Sequence, residues 1–230
     1  MKEGIFNRTE LLLGKETTEN IASKRVILFG VGGVGSWCAE SLIRTGVQHL
    51  TLVDFDQIAL SNLNRQLVAT YDAIGLPKVE QMRQRLLSIN PNADIQTICQ
   101  RYDEDSASQY VFDHYDYVID AIDTLDAKAL LIHQATCSSA TLFSSMGAGR
   151  KLDATRIRTT EFWKVSGCPL ARALRNKMRK NGRLPQKKFQ CVYSDEISSD
   201  SGTLAPIVGV FGMYLSHLLI QDLVQKTNGQ

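Results

Sequence analysis

The stretch RVILFGVGGVGSWCAE, residues 25–40, decides the fold of this chain. Its β-forming residues from Arg25 to Phe29 lead into a loop with four glycines, and residues 36–44 have the pattern of a helix. The glycines are Gly30, Gly32, Gly33 and Gly35. Glycine lets a backbone turn tightly and approach a phosphate closely, and the free amides at a helix N-terminus favour an anion. The stretch therefore predicts a phosphate-binding loop between a strand and a helix, for which a dinucleotide is the usual ligand.

Strands and helices alternate along the chain around this loop. The patterns predict strands at 25–30, 49–54, 94–99, 116–120 and 140–145, and helices near 34–45, 77–89, 106–113 and 124–137. After residue 150 they predict an extended segment at 155–165, a basic helix at 168–180 and a long apolar helix at 204–223. This order predicts an α/β fold, Rossmann-like and doubly wound, with a mostly parallel sheet and a basic C-terminal elaboration. The length suits one domain with elaborations, or at most two small ones, and we expect a single domain over residues 1–230 with residues 150–190 as the elaboration.

Composition sets limits on the class of protein. Hydrophobic and charged fractions of 43% and 22% are ordinary for a globular domain. The first ten residues lack the apolar core of a signal peptide, and the apolar segment 204–220 contains Pro206 and His217. Five cysteines without a CxxC pair indicate reduced thiols rather than a zinc ribbon. We therefore expect a cytoplasmic protein without a membrane span.

Charge is distributed unevenly along the chain. Residues 150–188 contain thirteen Lys or Arg and two acids, whereas the whole chain has 26 Lys or Arg and 24 Asp or Glu. One face or one lobe of the protein is therefore basic. Such a segment is either a solvated helix and loop or a surface that binds a polyanion such as a nucleic acid.

Polar residues beyond the glycine loop distinguish between nucleotides. Asp54 ends the second predicted strand, where a carboxylate can accept hydrogen bonds from ribose hydroxyls, as it would in an NAD enzyme. Arg65 and Lys78 add two cations near the phosphates, which the cleavage of a triphosphate requires and NAD does not. Asp120 and Asp123 end another strand, where a carboxylate suits Mg²⁺, although Asp120 could equally cap the next helix. Together these residues favour ATP.

The segments GVGGVGS, LVDFD, SNLNRQ, GLPKVE and VIDAID together resemble the ATP-binding fold of the ubiquitin-activating-enzyme-like family, which includes ThiF, MoeB and HesA. Members of this family activate a carboxylate as its adenylate. The resemblance runs from about Phe6 to Leu223. The segments FNRTELLLGKE, CPLAR and CVYSDE resemble most its branch of tRNA threonylcarbamoyladenosine dehydratases.

The resemblance implies a role for each matching residue. In the family, the glycines from Gly30 to Gly35 line the nucleotide site, Asp54 holds the ribose, Asn62, Arg65 and Lys78 bind the phosphates, and Asp123 holds Mg²⁺. Arg8 matches an arginine that such proteins contribute across a homodimer interface to the partner's site. The residues expected to act in catalysis are therefore Arg65, Lys78, Asp123 and Arg8.

The branch also implies a reaction: ATP-dependent dehydration, by cyclisation, of threonylcarbamoyladenosine in the tRNA anticodon arm, through an adenylated carboxylate. The basic segment 150–190 suits a tRNA partner. The alternative is an enzyme that adenylates a ubiquitin-like sulfur-carrier protein, and such enzymes commonly have two CxxC pairs that this chain lacks. The branch further suggests a monovalent cation and a cysteine desulfurase partner.

Two single residues have competing interpretations. Cys191 is either a thiol that relays sulfur or a buried strand residue, and its apolar neighbours favour the second. Trp163, between Arg158 and Lys164, is either a core residue or a platform on which a base stacks.

Overall fold

A seven-stranded sheet forms the centre of the computed structural model, which describes residues 4–197 and 201–229. The strands are β1 (Arg25–Phe29), β2 (His49–Val53), β3 (Asp94–Ile98), β4 (Tyr117–Asp120), β5 (Thr141–Ser145), β6 (Ile157–Glu161) and β7 (Gln190–Ser194). The helices are α1 (Asn7–Leu13), α2 (Lys15–Ser23), α3 (Gly33–Thr45), α4 (Lys78–Ile89), α5 (Leu125–Cys137), α6 (Pro169–Asn181) and α7 (Ala205–Asn228). The strand order is β3-β2-β1-β4-β5-β7-β6.

The sheet is parallel except at one edge, where β6 pairs antiparallel with β7. Phe29, the last residue of β1, is in register with Val53 of β2 and Asp120 of β4. The carboxyl ends of these three strands therefore lie side by side. The strand order reverses between β1 and β4, and open sheets of this kind bind ligands at such a point.

Each face of the sheet has its own apolar core. One core contains buried residues of α3, α4 and α7, and the other contains buried residues of α5 and α6. Helix α7 packs closely on α3, because a Cβ atom on Gly212 would lie 2.5 Å from the carbonyl oxygen of Val34. By length and composition α7 could cross a membrane, but Phe211, Leu215 and Leu219 are buried in the core.

The predicted fold class, an α/β sheet that is mostly parallel and doubly wound, is confirmed, and so are the five parallel strands, the basic helix and the long apolar helix. The predicted helix at 106–113 is wrong. That segment has two short 3₁₀ turns, Ala107–Gln109 and Phe112–His114. The backbone amides of Asp103 and Ser106 each donate a hydrogen bond to the other residue's side chain, which fixes a turn. The ring of Phe112 packs against that of Phe29, with 5.9 Å between the ring centroids.

The structure differs from the sequence predictions in two further places, at the N-terminal helices and at the edge strand β6. The sequence patterns did not predict α1 and α2, which are short, and no residue of α1 is buried. The extended segment at 155–165 is strand only over β6, because residues 162–164 form a 3₁₀ turn.

Candidate nucleotide-binding site

A cavity of about 1,100 Å³ opens at the carboxyl ends of β1, β2 and β4. Its wall brings together eight of the ten residues that the sequence predicts for the site. These are Gly30, Gly32, Gly33, Asp54, Asn62, Arg65, Lys78 and Asp123. Gly35 and Arg8 lie outside this lining.

The glycine loop depends on the absence of side chains. Gly30 has φ of +88°, and a Cβ atom there would lie 2.7 Å from the carbonyl oxygen of Ala121. A Cβ on Gly35 would lie 1.7 Å from the carbonyl oxygen of Gly30, so this glycine lets α3 start directly under the loop. Gly32 faces open space, since the nearest atom to its Cβ position is 3.8 Å away on Gln66. A ligand can therefore approach the backbone of the loop at Gly32, whereas at Gly35 the backbone is packed against Gly30 and leaves no space for a ligand.

Asp54 connects the loops that follow β1 and β2. Its two carboxylate oxygens accept hydrogen bonds from the backbone amides of Val31, at 2.6 Å, and Asp56, at 2.8 Å. Burial raises the pKa of Asp54, while these two bonds and the charge of Lys78 act in the opposite direction. The carboxylate therefore holds the glycine loop in place and also faces the cavity.

The two predicted cations are held by their neighbours. Lys78 is 5% exposed, and its Nζ lies 2.7 Å from Oδ2 of Asp56. Arg65 donates from Nη1 to the carbonyl oxygen of Ser61 and to Oδ1 of Asn64, at 2.7 and 2.8 Å. Sequence reasoning missed Asp56, although its position two residues after Asp54 in LVDFD was visible.

Asn62 and Gln66 complete this wall. Oδ1 of Asn62 accepts from the Ala59 amide at 3.1 Å, and this bond shapes the turn that carries Arg65. Gln66 is 7% exposed and its Oε1 has no hydrogen-bond partner among the described residues. A buried amide oxygen without a partner in a cavity wall is a group that a ligand can satisfy.

The two aspartates that follow β4 have different environments. Asp120 is fully buried, accepts from Oγ of Ser144 at 2.6 Å, and forms an ion pair at 2.7 Å with Lys128, which is also fully buried. Nζ of Lys128 also donates to the carbonyl oxygen of Ile122 at 3.0 Å. Asp120 is therefore neither a simple helix cap nor free to bind a metal ion. Asp123 is exposed in the cavity and makes no hydrogen bond or ion pair with residues 4–197 and 201–229.

Arg8 lies on a different part of the protomer. It is exposed on α1, next to a groove lined by Phe6, which caps α1, and by Gly46 and Asn90, which lie in the segments that lead into β2 and β3. The same helix exposes Leu11 and Leu12, at 74% and 83%. A single protomer therefore does not bring Arg8 into the cavity.

The environment of Cys191 supports its interpretation as a buried strand residue rather than as a thiol that relays sulfur. Cys191 and Cys38 are both fully buried, and burial raises the pKa of both thiols. A thiol of this kind is a poor nucleophile. Within the described part of the chain no three His, Cys, Asp or Glu side chains are grouped as a metal site.

Comparison with known proteins identifies the family. The model of the ThiF family matches residues 6–230. The tRNA threonylcarbamoyladenosine dehydratase of Bacillus subtilis is 40% identical over 191 residues, which cover 83% of this chain and 74% of that protein. The crystal structure of the Escherichia coli tRNA N6-threonylcarbamoyladenosine dehydratase, TcdA, in complex with ATP has a TM-score of 0.90 and 33% identity, and covers 98% of this chain and 96% of its own. The molybdopterin-synthase adenylyltransferase of Haemophilus influenzae is 31% identical, covering 84% of this chain and 72% of that protein. The chain therefore belongs to the ThiF family.

Proposed function

We propose that this protein is an ATP-dependent tRNA threonylcarbamoyladenosine dehydratase. The observation that carries the proposal is the cavity at the carboxyl edge, where the glycine loop, Asp54, Arg65, Lys78 and Asp123 face one space. The whole-chain similarity to dehydratases, and to one of them in complex with ATP, supports both the reaction and the nucleotide.

The chemistry explains why ATP is needed. A carboxylate is a poor electrophile because its leaving group would be oxide. When a carboxylate oxygen of the substrate attacks the α-phosphorus of ATP, the bond to the β-phosphate breaks and pyrophosphate leaves. An atom of the neighbouring urea then attacks the activated carbonyl carbon, AMP leaves, and the urea loses a proton. The ring closes with a net loss of one water, and no protein nucleophile takes part.

Arg65 and Lys78 are the groups that stabilise charge in this scheme. Both line the phosphate side of the cavity, where negative charge builds up on the leaving pyrophosphate. Asp54 and the glycine loop orient the nucleotide so that the α-phosphate faces the substrate carboxylate.

Mg²⁺ fits the site because Asp123 presents an exposed carboxylate without a partner among the described residues. Magnesium typically binds one or two protein carboxylates together with phosphate oxygens, and it neutralises phosphate charge. Asp123 is the residue that would hold it.

The active unit is a homodimer in which Arg8 enters the partner's site. The exposed position of Arg8, beside the exposed side chains of Leu11 and Leu12, supports this arrangement. A cytoplasmic location suits a tRNA substrate and free cysteines. A monovalent cation and a desulfurase partner remain predictions of the sequence resemblance.

The test is mass spectrometry of nucleosides from threonylcarbamoyl-modified tRNA after incubation with protein, ATP and Mg²⁺, with the Lys78→Ala variant as control. We expect a modified adenosine lighter by one water, formed only with ATP and the unaltered protein. An unchanged nucleoside, from protein shown to bind ATP, would reject the proposal. Pyrophosphate exchange that depends on a small protein ending in Gly-Gly would instead support the sulfur-carrier alternative. The 31% identity to a molybdopterin-synthase adenylyltransferase is the observation that favours this alternative.

A further inference from the structure

The cations of the basic segment fall into two groups by their contacts. Seven of the thirteen have partners: Arg156 and Arg158 pair with Asp195, Lys177 with Asp126 and Arg183 with Glu104, while Lys151, Arg175 and Lys187 donate to carbonyl oxygens. The other six are exposed and have no ion pair with residues 4–197 or 201–229: Arg150, Lys164, Arg172, Arg179, Lys180 and Lys188. The net charge of the segment alone does not separate these groups.

Helix α6 carries half of the unpaired cations. Its buried side, with Ala171, Leu174 and Met178, packs in the same core as α5. The opposite side of the helix faces solvent and presents Arg172, Arg179 and Lys180. We call these three residues, together with Lys164, the α6 surface.

The α6 surface lies between the cavity and an exposed aromatic ring. Leu170 and Lys177, on one flank of the helix, line the cavity. On the other flank, Trp163 is 39% exposed and the guanidinium of Arg179 lies 5.4 Å from its ring centroid. One helix, about 10–12 Å wide, therefore separates the cavity mouth from Trp163.

We propose that the α6 surface is where the phosphate backbone of the tRNA docks, so that the modified adenosine can reach the cavity beside Lys177. This inference rests on the proposed function, since it assumes an RNA substrate. Unpaired, exposed cations release counterions from an RNA backbone without first breaking an ion pair of their own. Arg156 and Arg158, which already share Asp195, are excluded from the docking surface despite their equal charge.

The test compares two double variants that each remove two positive charges. Arg172→Gln with Arg179→Gln alters the α6 surface, and Arg156→Gln with Arg158→Gln is the matched control. The affinity for a tRNA transcript is measured over a range of salt concentrations, and ATP binding is measured for each variant as a check on folding.

For the α6 double variant, we expect a tRNA Kd that rises roughly 10- to 30-fold at 0.15 M salt and a salt slope that falls by about 1.5, because each backbone contact contributes about 0.7–0.9 to the slope. We expect the control pair to change Kd less than about threefold. In turnover, the α6 variant should raise KM for tRNA while kcat at saturating tRNA stays within about twofold.

If the two double variants lose equal affinity for tRNA, or if the control loses more, the inference is overturned, because net charge rather than the α6 surface would then set the affinity. The proposed function is tested separately by wild-type turnover of modified tRNA. A wild type that dehydrates tRNA while both variants bind equally rejects the α6 surface and leaves the dehydratase intact. A wild type without turnover, combined with the expected difference in binding, rejects the reaction but keeps the surface.

Discussion

The ammonium of Lys78 lies 2.7 Å from the carboxylate of Asp56 in the wall of the cavity. The backbone amide of Lys78 also donates to the carbonyl oxygen of Asp56, at 3.0 Å. These two contacts join the first turn of α4 to the loop after β2, and Asp56 supplies the opposite charge that a buried ammonium needs. Lys78 is therefore held beside the glycine loop before any phosphate arrives.

Replacing this cation should slow the reaction strongly. We expect Lys78→Ala, and likewise Arg65→Ala, to lower the rate of dehydration about 10²- to 10³-fold, because each removes a charge that stabilises the phosphates during cleavage. Asp56→Asn keeps the cation and should cost less than about tenfold. Single-turnover kinetics with modified tRNA provide the measurement. Near-normal rates in Lys78→Ala would contradict the assigned role.

Arg8 should act on the partner's site rather than its own. The variants Arg8→Ala and Lys78→Ala should each be nearly inactive alone. After subunit exchange, a mixed dimer has one site with an intact Lys78 that receives Arg8 from the other protomer. An equimolar mixture should then regain about a quarter of the wild-type activity, since half of the dimers are mixed and each has one complete site.

The control for this experiment is native mass spectrometry, which shows whether mixed dimers have formed. Mixed dimers that remain inactive would mean that Arg8 does not complete the partner's site.

The two glycines at 32 and 35 should respond differently to alanine. A Cβ on Gly35 would collide with the carbonyl oxygen of Gly30 at 1.7 Å, so Gly35→Ala should cost about 4 kcal/mol or more of unfolding free energy. The added Cβ of Gly32→Ala would have no atom closer than 3.8 Å, so the free energy of unfolding should stay within about 1 kcal/mol of the wild-type value.

The methyl group of Gly32→Ala would instead occupy the space where a phosphate approaches the loop, and we expect the Kd for ATP to rise about tenfold. Urea unfolding and calorimetric ATP titration separate the two effects. Unchanged ATP affinity in a folded Gly32→Ala variant would argue against phosphate binding at this loop.

Much of the site followed from local patterns. Gly32 and Asp123 lie between a predicted strand and the next predicted helix, Asp54 ends a predicted strand and Lys78 lies at the start of a predicted helix. Arg65 lies in the long loop before that helix, and its motif SNLNRQ identified it. The carboxyl ends of parallel strands meet at one edge of the sheet. Residues that are far apart along the chain are therefore expected to meet at this edge because most of them lie at the end of a strand or at the start of the following helix.

What could not be predicted depends on tertiary contacts. A lysine in the middle of a predicted helix normally faces solvent, yet Lys128 is fully buried because Asp120, 8 residues earlier, ends the neighbouring strand. The segment 106–113 has helix-forming residues, but the bonds between Asp103 and Ser106 and the packing of Phe112 favour turns. Helix α1 has no fully buried residue, and only its last residue, Leu13, packs against the core, so no apolar periodicity marks it.

The buried pair of Lys128 and Asp120 should matter for stability. Lys128→Met leaves a buried carboxylate without its partner, and such changes cost about 3–5 kcal/mol. Adding Asp120→Asn removes that charge while keeping an acceptor for Ser144 and should recover part of the loss. Urea unfolding measures both variants. A double variant that is less stable than Lys128→Met would show that the ion pair is not the cause.

Glu40 should make stability depend on pH. Its carboxylate, 7% exposed on α3, lies 2.5 Å from Nε of Arg85 and 2.9 Å from Nε of Arg44. Burial raises the pKa of Glu40, but the hydrogen bonds and charges of the two arginines outweigh it, so the pKa in the folded state is lowered. A lowered pKa means that the ionised form stabilises the fold above the unfolded pKa, about 4.3, and that this contribution disappears as pH falls through the folded value.

We therefore expect Glu40→Gln to lose about 1 kcal/mol of unfolding free energy at pH 7, a modest amount because both arginines are partly exposed. The difference from wild type should stay constant down to about pH 5 and shrink below about pH 4, where the wild-type carboxyl becomes protonated. Urea unfolding across this range measures it, with Glu16→Gln, an exposed residue on α2, as the matched loss of one charge. A difference that is independent of pH would mean that Glu40 contributes through packing rather than through its charge.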